Sequence, residues 1–135
     1  MKRGTLHTDG GARGNPGPAA IGFVLAEVGS LPILYKEYIG TGTNNQAEYR
    51  ALLAGVTRAK EEGIQDVTCY LDSELVVKQV RGEYRVKNAD LQELLAEIKQ
   101  ILPSFSSVTF EHIPRAKNAQ ADKLVNEALD EQMKR

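Results

Sequence analysis

The chain has 135 residues, of which 41% are hydrophobic and 26% are charged, a composition typical of a globular domain and not of a disordered segment. Its 17 basic and 18 acidic side chains nearly cancel, which excludes binding to nucleic acid through a large excess of positive charge. The single cysteine excludes an internal disulfide framework, and no apolar run approaches the roughly 20 residues of a membrane span. We therefore expect one domain over residues 1–135, a monomer, a cytoplasmic location and no membrane segment.

The first half of the chain predicts an antiparallel meander followed by a helix. Three segments have strand patterns: Thr5–Thr8, Ala20–Val28 and Ile33–Ile39. The stretch 10–18 is rich in Gly and Pro and predicts a loop. Thr43 opens the helix, because Thr43 and Gln46 have the spacing of a capping box, and Gly63 ends it.

The second half alternates strands with helices. The predicted elements are a strand over Val67–Leu71, helices over Ser73–Val80 and Ala89–Leu102, a strand over Val108–Ile113 and a helix over Asn118–Met133. The resulting order, βββαβααβα, predicts the α/β class. We expect a five-stranded mixed sheet, an antiparallel meander plus parallel strands, with helices on both faces.

Four carboxylates occupy positions that packing alone does not explain. Asp9 and Asp72 each stand at the carboxyl end of a predicted strand, the edge at which open α/β sheets bind ligands. Glu48 and Asp122 lie in the first turns of two helices, on the apolar side of each. The alternatives are that Asp9 forms a turn, that Asp72 caps a helix, and that the other two reach solvent from the edge of the apolar stripe.

Two strand ends and two helix starts can meet at one edge of a sheet. Carboxylates about 4 Å apart repel by about 4 kcal/mol per pair at an effective dielectric constant of about 20, so such a cluster requires cations. Carboxylate oxygens suit Mg²⁺ or Mn²⁺ and not zinc. Two such ions would polarise an attacking water and stabilise a leaving oxygen, the two-metal arrangement for phosphodiester cleavage.

Four blocks of the sequence, in order from about Thr5 to about Leu129, resemble the type I ribonuclease H family. The blocks are TDGGARGNPG at 8–17, TNNQAE at 43–48, DS at 72–73, and HIPR with NAQAD within 112–122. The resemblance implies an RNase H fold. It also implies Mg²⁺-dependent hydrolysis of the RNA strand of RNA–DNA hybrids, with Mn²⁺ as a substitute ion and with 5′-phosphate and 3′-hydroxyl ends.

Carried over residue by residue, the resemblance assigns roles to nine positions. Asp9, Glu48, Asp72 and Asp122 match the metal-binding carboxylates, and His112 matches a histidine thought to relay a proton or to aid product release. Four positions match the contacts to the hybrid: Asn15, Thr43, Asn44 and Asn45. For the asparagines, helix capping is the alternative, and it can coexist with substrate contact.

The chain departs from the family pattern in its basic residues. It has no tryptophan, and the resemblance is to compact members without a tryptophan-bearing basic extension or a separate hybrid-binding domain. The segment 78–87 carries four basic residues and forms either a reduced phosphate-binding patch or a solvated helix face. We expect His7 and Cys69 to be structural.

Two alternatives to a hybrid-cleaving endonuclease stay open. A non-catalytic module that binds hybrid or RNA with a partner chain fits the balanced charge, but a pure binder gains nothing from carboxylates massed beside phosphates. A nuclease of the same fold that also cuts double-stranded RNA is the other alternative.

Overall fold

The computed structural model describes residues 1–134, and within them the elements follow the predicted order. The strands are β1 (Arg3–Ala12), β2 (Gly17–Glu27), β3 (Ile33–Gly42), β4 (Asp66–Leu71) and β5 (Ser107–His112). The helices are α1 (Asn44–Glu61), α2 (Glu74–Val80), α3 (Ala89–Ile101) and α4 (Ala119–Met133), with 3₁₀ turns at Leu102–Ser104 and Arg115–Asn118. The predicted α/β class is confirmed.

The five strands form one mixed sheet in the order β3-β2-β1-β4-β5. β2 pairs antiparallel with both β1 and β3, whereas β4 pairs in parallel with both β1 and β5. The parallel pairing ends at Thr8 opposite Leu71 and at Leu71 opposite His112. The carboxyl ends of β4 and β5 therefore lie side by side next to Thr8 of β1, while β1 continues along β2 to Ala12. Asp9, which was predicted at the end of its strand, thus lies inside β1, because pairing with β2 extends the strand beyond its apolar run.

Helices cover both faces of the sheet, as predicted. On one face, Leu6 and Phe23 belong to the main core together with Leu52 of α1. On the other face, α4 contributes Val125 to a smaller cluster with Ala20 of β2. None of the helices in residues 1–134 combines the length and the apolar character that crossing a bilayer requires.

The predicted loop over residues 10–18 is wrong at both of its ends. β1 continues to Ala12 and β2 begins at Gly17, so only four residues connect the two strands. Gly10 is a strand residue that pairs with Ile21 of β2. It is glycine because β1 approaches α1 closely there: a Cβ on Gly10 would lie 2.2 Å from the carbonyl oxygen of Ala47. Glycine here serves close packing inside a strand, not a turn.

Helix α1 begins with the predicted capping box. The backbone nitrogen of Gln46 donates to Oγ1 of Thr43 at 3.1 Å, and the backbone nitrogen of Thr43 donates to Oε1 of Gln46 at 2.9 Å. Gly63, which follows the helix, has φ +77°, a conformation that glycine adopts without strain. The cap fixes the start of α1 and thereby the direction in which Glu48 points.

Candidate active site

Three of the four predicted carboxylates meet at the carboxyl edge of the sheet. Asp9, Glu48 and Asp72 each place a carboxylate oxygen within 4.8 Å of the other two. Asp9 comes from β1, Glu48 from the second turn of α1, and Asp72 directly follows β4. Asp9 and Glu48 are each only 7% exposed, and Asp72 is half-buried.

The fourth carboxylate, Asp122, lies in the first turn of α4 and faces the same groove. It is close enough for its charge to raise the pKa of Asp9. Its Oδ1 also lies 3.5 Å from Nη2 of Arg115, whose side chain is 79% exposed. An ion pair that is so exposed contributes little and leaves most of the negative charge of the cluster uncompensated.

Burial and mutual repulsion alter the titration of the two most buried carboxylates. The pKa of Asp9 is raised to about 7, first because burial removes water from the charged form. The neighbouring Glu48 carboxyl group partly opposes this shift, and the charges of Asp72 and Asp122 add to it. The pKa of Glu48 is raised well above its ordinary value by burial and then by Asp9. The cluster is thus electrostatically unfavourable when it is ionised without a cation.

The donor set fits a hard divalent cation. Oε1 of Glu48 accepts a hydrogen bond from the backbone nitrogen of Gly10 at 3.3 Å, whereas Oε2 is buried and has no hydrogen-bond partner among residues 1–134. An unpaired buried carboxylate oxygen is costly unless a ligand completes it. Since the gathered side chains offer only oxygen atoms, Mg²⁺ and Mn²⁺ are the metal ions that they suit best.

The carboxylates line a groove with a volume of about 460 Å³. Its wall includes residues 10–12 of β1 together with Arg13 and Arg115. Nη2 of Arg13 lies 2.7 Å from Oδ1 of Asp130, which ties the β1–β2 connection to α4. The groove therefore combines an acidic floor with cationic groups at its wall, a combination suited to a phosphodiester bound together with metal ions.

His112 is the last residue of β5 and lies at the same edge as Asp72. Its side chain is 40% exposed, and its Nδ1 lies 3.9 Å from Oε2 of Glu74. The imidazole therefore borders the edge that carries the carboxylates and remains accessible to a ligand there.

The residues predicted to contact substrate lie beside the groove and also hold the local structure together. Oδ1 of Asn44 accepts from the backbone nitrogen of Ala12 at 2.9 Å, and the backbone nitrogen of Asn44 donates to Oδ1 of Asn15 at 3.0 Å. Thr43 caps α1, and Asn45 is exposed. Thr43 thus caps the helix, and the two asparagines hold the backbone through their Oδ1 atoms. The NH₂ groups of Asn15 and Asn44 have no hydrogen-bond partner in the described part of the chain.

The basic segment 78–87 divides into internally paired and exposed residues. Nζ of Lys78 lies 3.2 Å from Oε1 of Glu74 and 5.0 Å from the ring centroid of Tyr84. Arg81 donates to the carbonyl oxygen of Phe110 through Nε at 2.9 Å. The two remaining basic residues, Arg85 and Lys87, are exposed and form no ion pair within residues 1–134.

The two residues expected to be structural have no contact with the carboxylate cluster in the described hydrogen bonds and ion pairs. His7 stacks on Tyr70 with ring centroids 4.8 Å apart, and burial lowers its pKa. Cys69 is buried, and burial raises the pKa of its thiol to about 12. Such a thiol is unreactive at neutral pH.

One functional candidate was missed by sequence reasoning. Asn118 is only 1% exposed, and its Nδ2 donates to the carbonyl oxygen of Thr8 at 2.8 Å and to Oδ2 of Asp72 at 3.1 Å. In the sequence it reads as an ordinary helix-starting asparagine, and no local signal distinguishes it from one that caps.

The chain matches known proteins over nearly its whole length. A family model described as "Reverse transcriptase-like" matches residues 7–128. Ribonuclease HI of Halobacterium salinarum is 42% identical over 131 residues, which cover 95% of this chain and 66% of that protein. Ribonuclease H of Pseudomonas savastanoi is 34% identical over 144 residues, which cover 93% of this chain and 92% of that protein. The bifunctional protein Rv2228c of Mycobacterium tuberculosis is 41% identical over 127 residues, but the match spans only 35% of its length.

Solved structures have the same fold. The crystal structure of RNase H1 from Halobacterium salinarum superposes with a TM-score of 0.91 at 41% identity, covering 96% of this chain and 98% of that one. The N-terminal RNase H domain of Rv2228c gives a TM-score of 0.90 at 40% identity, covering 94% and 98%. LC11-RNase H1, solved in complex with an RNA/DNA hybrid, gives 0.88 at 42% identity, covering 96% and 99%.

Proposed function

We propose that this chain, which belongs to the type I ribonuclease H family, is an endonuclease that hydrolyses the RNA strand of RNA–DNA hybrids. The observation that carries the proposal is the meeting of Asp9, Glu48 and Asp72 within 4.8 Å in a groove. A module that only binds nucleic acid would gain nothing from carboxylates that repel each other and the phosphate backbone. The relative that was solved with a hybrid supports the same substrate class for this chain.

The four carboxylates would hold two Mg²⁺ ions, or Mn²⁺ in their place. Bound there, such ions supply positive charge to the attacking and leaving oxygens of a phosphodiester. Asp9 would serve both ions, because its carboxylate lies within 4.8 Å of those of Glu48 and Asp72 and lines the same groove as Asp122. Glu48 would hold one ion with its unpartnered oxygen and help to position the 2′-hydroxyl, and Asp122 would serve the other ion.

The remaining groups orient the substrate and move a proton. An RNA–DNA hybrid is close to A-form, whose wide, shallow minor groove displays 2′-hydroxyls. The NH₂ groups of Asn15 and Asn44 can donate to those hydroxyls, and the exposed amide of Asn45 can donate or accept, without reading sequence. His112 would relay a proton to the leaving oxygen or aid product release. The products would be a 5′-phosphate and a 3′-hydroxyl.

We further propose that the chain acts as a monomer in the cytoplasm. One copy supplies all four carboxylates and the groove that they line, so no second subunit is needed to complete the site. The buried free thiol of Cys69 is consistent with a reducing compartment.

The test compares labelled RNA–DNA hybrid, double-stranded RNA and double-stranded DNA, each with Mg²⁺, with Mn²⁺ and with EDTA. We expect cleavage of the hybrid's RNA strand with either metal, none in EDTA, and none with Asp9→Asn. Products that accept a 5′ label only after phosphatase treatment would establish the 5′-phosphate. Hybrid binding without cleavage would instead favour a non-catalytic module, and cleavage of RNA duplexes would favour a broader nuclease.

A further inference from the structure

Asn118 joins two of the elements that carry the carboxylates. The backbone pairing of β1 with β4 ends at Thr8 and Leu71, one residue before Asp9 and Asp72. Beyond that point, the amide nitrogen of Asn118 continues the connection by donating to the carbonyl oxygen of Thr8 and to Oδ2 of Asp72. A single side-chain NH₂ group thus links the strand of Asp9 to the carboxylate of Asp72.

The chemistry of the two partners fixes the orientation of this amide. A carbonyl oxygen and a carboxylate oxygen can only accept, so both hydrogens of the NH₂ group must point at them. The reversed amide would set Oδ1 of Asn118 against two other acceptors. Because Asp72 carries a charge, its hydrogen bond is of the stronger, charge-assisted kind.

The side chain of Asn118 makes these bonds at a cost in stability. Asn118 stands directly before α4, but its side chain makes no capping hydrogen bond. Its Oδ1 is buried without a partner among residues 1–134. A buried unsatisfied acceptor costs about 1–3 kcal/mol. The two donated hydrogen bonds, and not a helix cap, therefore hold this side chain in place.

We propose that Asn118 is a positioning residue that holds the Asp72 carboxylate beside Thr8 of β1 in the geometry that binds metal, an inference that rests on the proposed function. Without a cation, the neighbouring carboxylates repel Asp72 from the cluster. Asn118 opposes that displacement by bonding one oxygen of Asp72 while the other oxygen keeps its lone pairs. Since α4 begins at the next residue and carries Asp122 in its first turn, the same side chain also sets the place of the fourth carboxylate.

The proposal predicts weaker metal binding when the amide is removed. Residues that hydrogen-bond to metal ligands affect metal affinity by about 10- to 100-fold when they are mutated. We expect Asn118→Ala to weaken Mn²⁺ binding to the full chain by that factor, as measured by titration calorimetry without substrate. Thermal unfolding of each variant in EDTA gives its stability separately from its metal affinity.

Asn118→Ser separates positioning from stability. Serine replaces part of the buried volume that alanine leaves empty, so this variant should unfold at a higher temperature than Asn118→Ala. Its hydroxyl lies one bond closer to the backbone than Nδ2 of Asn118 and falls short of the Asp72 carboxylate, so its Mn²⁺ affinity should remain as low as that of the alanine variant. Ile98→Ala, which truncates a fully buried side chain of the main core in α3, is the control: it should lower the unfolding temperature and leave Mn²⁺ affinity unchanged.

Each outcome bears on the proposal. Unchanged Mn²⁺ affinity in Asn118→Ala would overturn it. Two other results would do the same: Mn²⁺ affinity that recovers together with stability in Asn118→Ser, or a loss of Mn²⁺ affinity in Ile98→Ala equal to that in Asn118→Ala. If the alanine variant does not fold, the serine variant alone decides by the same criterion. A wild-type chain that binds no Mn²⁺ and cleaves no hybrid would overturn the proposed function and, with it, this inference. A wild-type chain that binds and cleaves beside an unaffected Asn118→Ala would overturn the inference alone.

Discussion

The backbone nitrogen of Gly10 lies 3.3 Å from Oε1 of Glu48 and donates a hydrogen bond to it, so that β1 and α1 touch directly at the carboxylate cluster. A Cβ at residue 10 would lie 2.2 Å from the carbonyl oxygen of Ala47 and 2.6 Å from the backbone nitrogen of Glu48. The contact exists only because residue 10 has no side chain. It places the Glu48 carboxylate next to Asp9.

Gly10→Ala is expected to damage both stability and metal binding, because the methyl group must push β1 away from backbone atoms of α1. Overpacking of this kind costs about 1–3 kcal/mol or more in the free energy of unfolding. We expect a loss of that size by urea denaturation, together with loss of hybrid cleavage. Gly11→Ala is the matched control, since its Cβ would lie 3.8 Å from Cγ1 of Val125, an ordinary contact. Equal effects of the two substitutions would contradict the close-approach explanation.

The stability of the metal-free protein should depend on pH through Asp9. Burial first, and then neighbouring charges, raise the pKa of Asp9 from 3.8 to about 7, so the folded state holds a proton that the unfolded state releases. The stabilisation from this proton is fully present below about pH 4 and is lost as the pH rises through about 7. In EDTA, the unfolding temperature of the wild type relative to Asp9→Asn should therefore fall across this interval.

Asp9→Asn also provides the control for that experiment, because it removes the titrating group and keeps its volume. Above pH 7 in EDTA it should be more stable than the wild type, and Mg²⁺ should stabilise the wild type more than the variant. If the unfolding temperature of the wild type relative to Asp9→Asn rises with pH, or does not change, the folded state does not destabilise the charged form of Asp9.

His112→Ala should slow catalysis without unfolding the protein. Removing a proton-transfer group typically lowers kcat by about 10²- to 10⁴-fold, whereas a side chain that is 40% exposed contributes less than about 0.5 kcal/mol to stability. Steady-state kinetics on a hybrid across pH 6–9 would measure the effect. Glu74→Gln, which removes the carboxylate nearest to the imidazole, should have a small effect on kcat. A kcat that survives His112→Ala would remove the proposed role.

The double substitution Arg85→Ala and Lys87→Ala should raise KM and reduce the dependence of hybrid binding on salt. Each cation that contacts a phosphate contributes about one unit to the slope of log affinity against log salt concentration, so the slope should fall by about two. Lys60→Ala, at an exposed site on α1, should leave the slope unchanged. An unaltered slope in the double variant would assign these residues to a solvated surface.

Arg81→Ala should behave differently from its neighbours in the segment. Arg81 donates to the carbonyl oxygen of Phe110 in β5, so its removal leaves a half-buried acceptor unpaired and lowers the free energy of unfolding by about 1 kcal/mol. We expect a lower unfolding temperature with an unchanged salt slope. A changed slope at preserved stability would place the Arg81 guanidinium on the substrate.

Local patterns in the sequence were sufficient for the features that depend on neighbours along the chain. The Thr43–Gln46 capping box involves residues three apart, and the period of α1 alone sets Glu48 on its buried face. The position of Asp72 directly after a strand follows from where an apolar run stops, whereas the same reasoning ended β1 too early at Asp9. Each of these features depends on residues that lie within a few positions of each other, so the local sequence is enough to predict it.

The tertiary structure decided whatever depends on residues far apart in the chain. The pairing of β1 with β2 carried the strand through glycines that locally favour a loop, and the approach of Ala47 explains why Gly10 is needed there. Asn118 turns away from its helix because acceptors 110 and 46 positions away lie within hydrogen-bond distance. Residue types and spacing do not encode such distances; they arise only when strands and helices pack, and the free energy of that packing outweighs local preference.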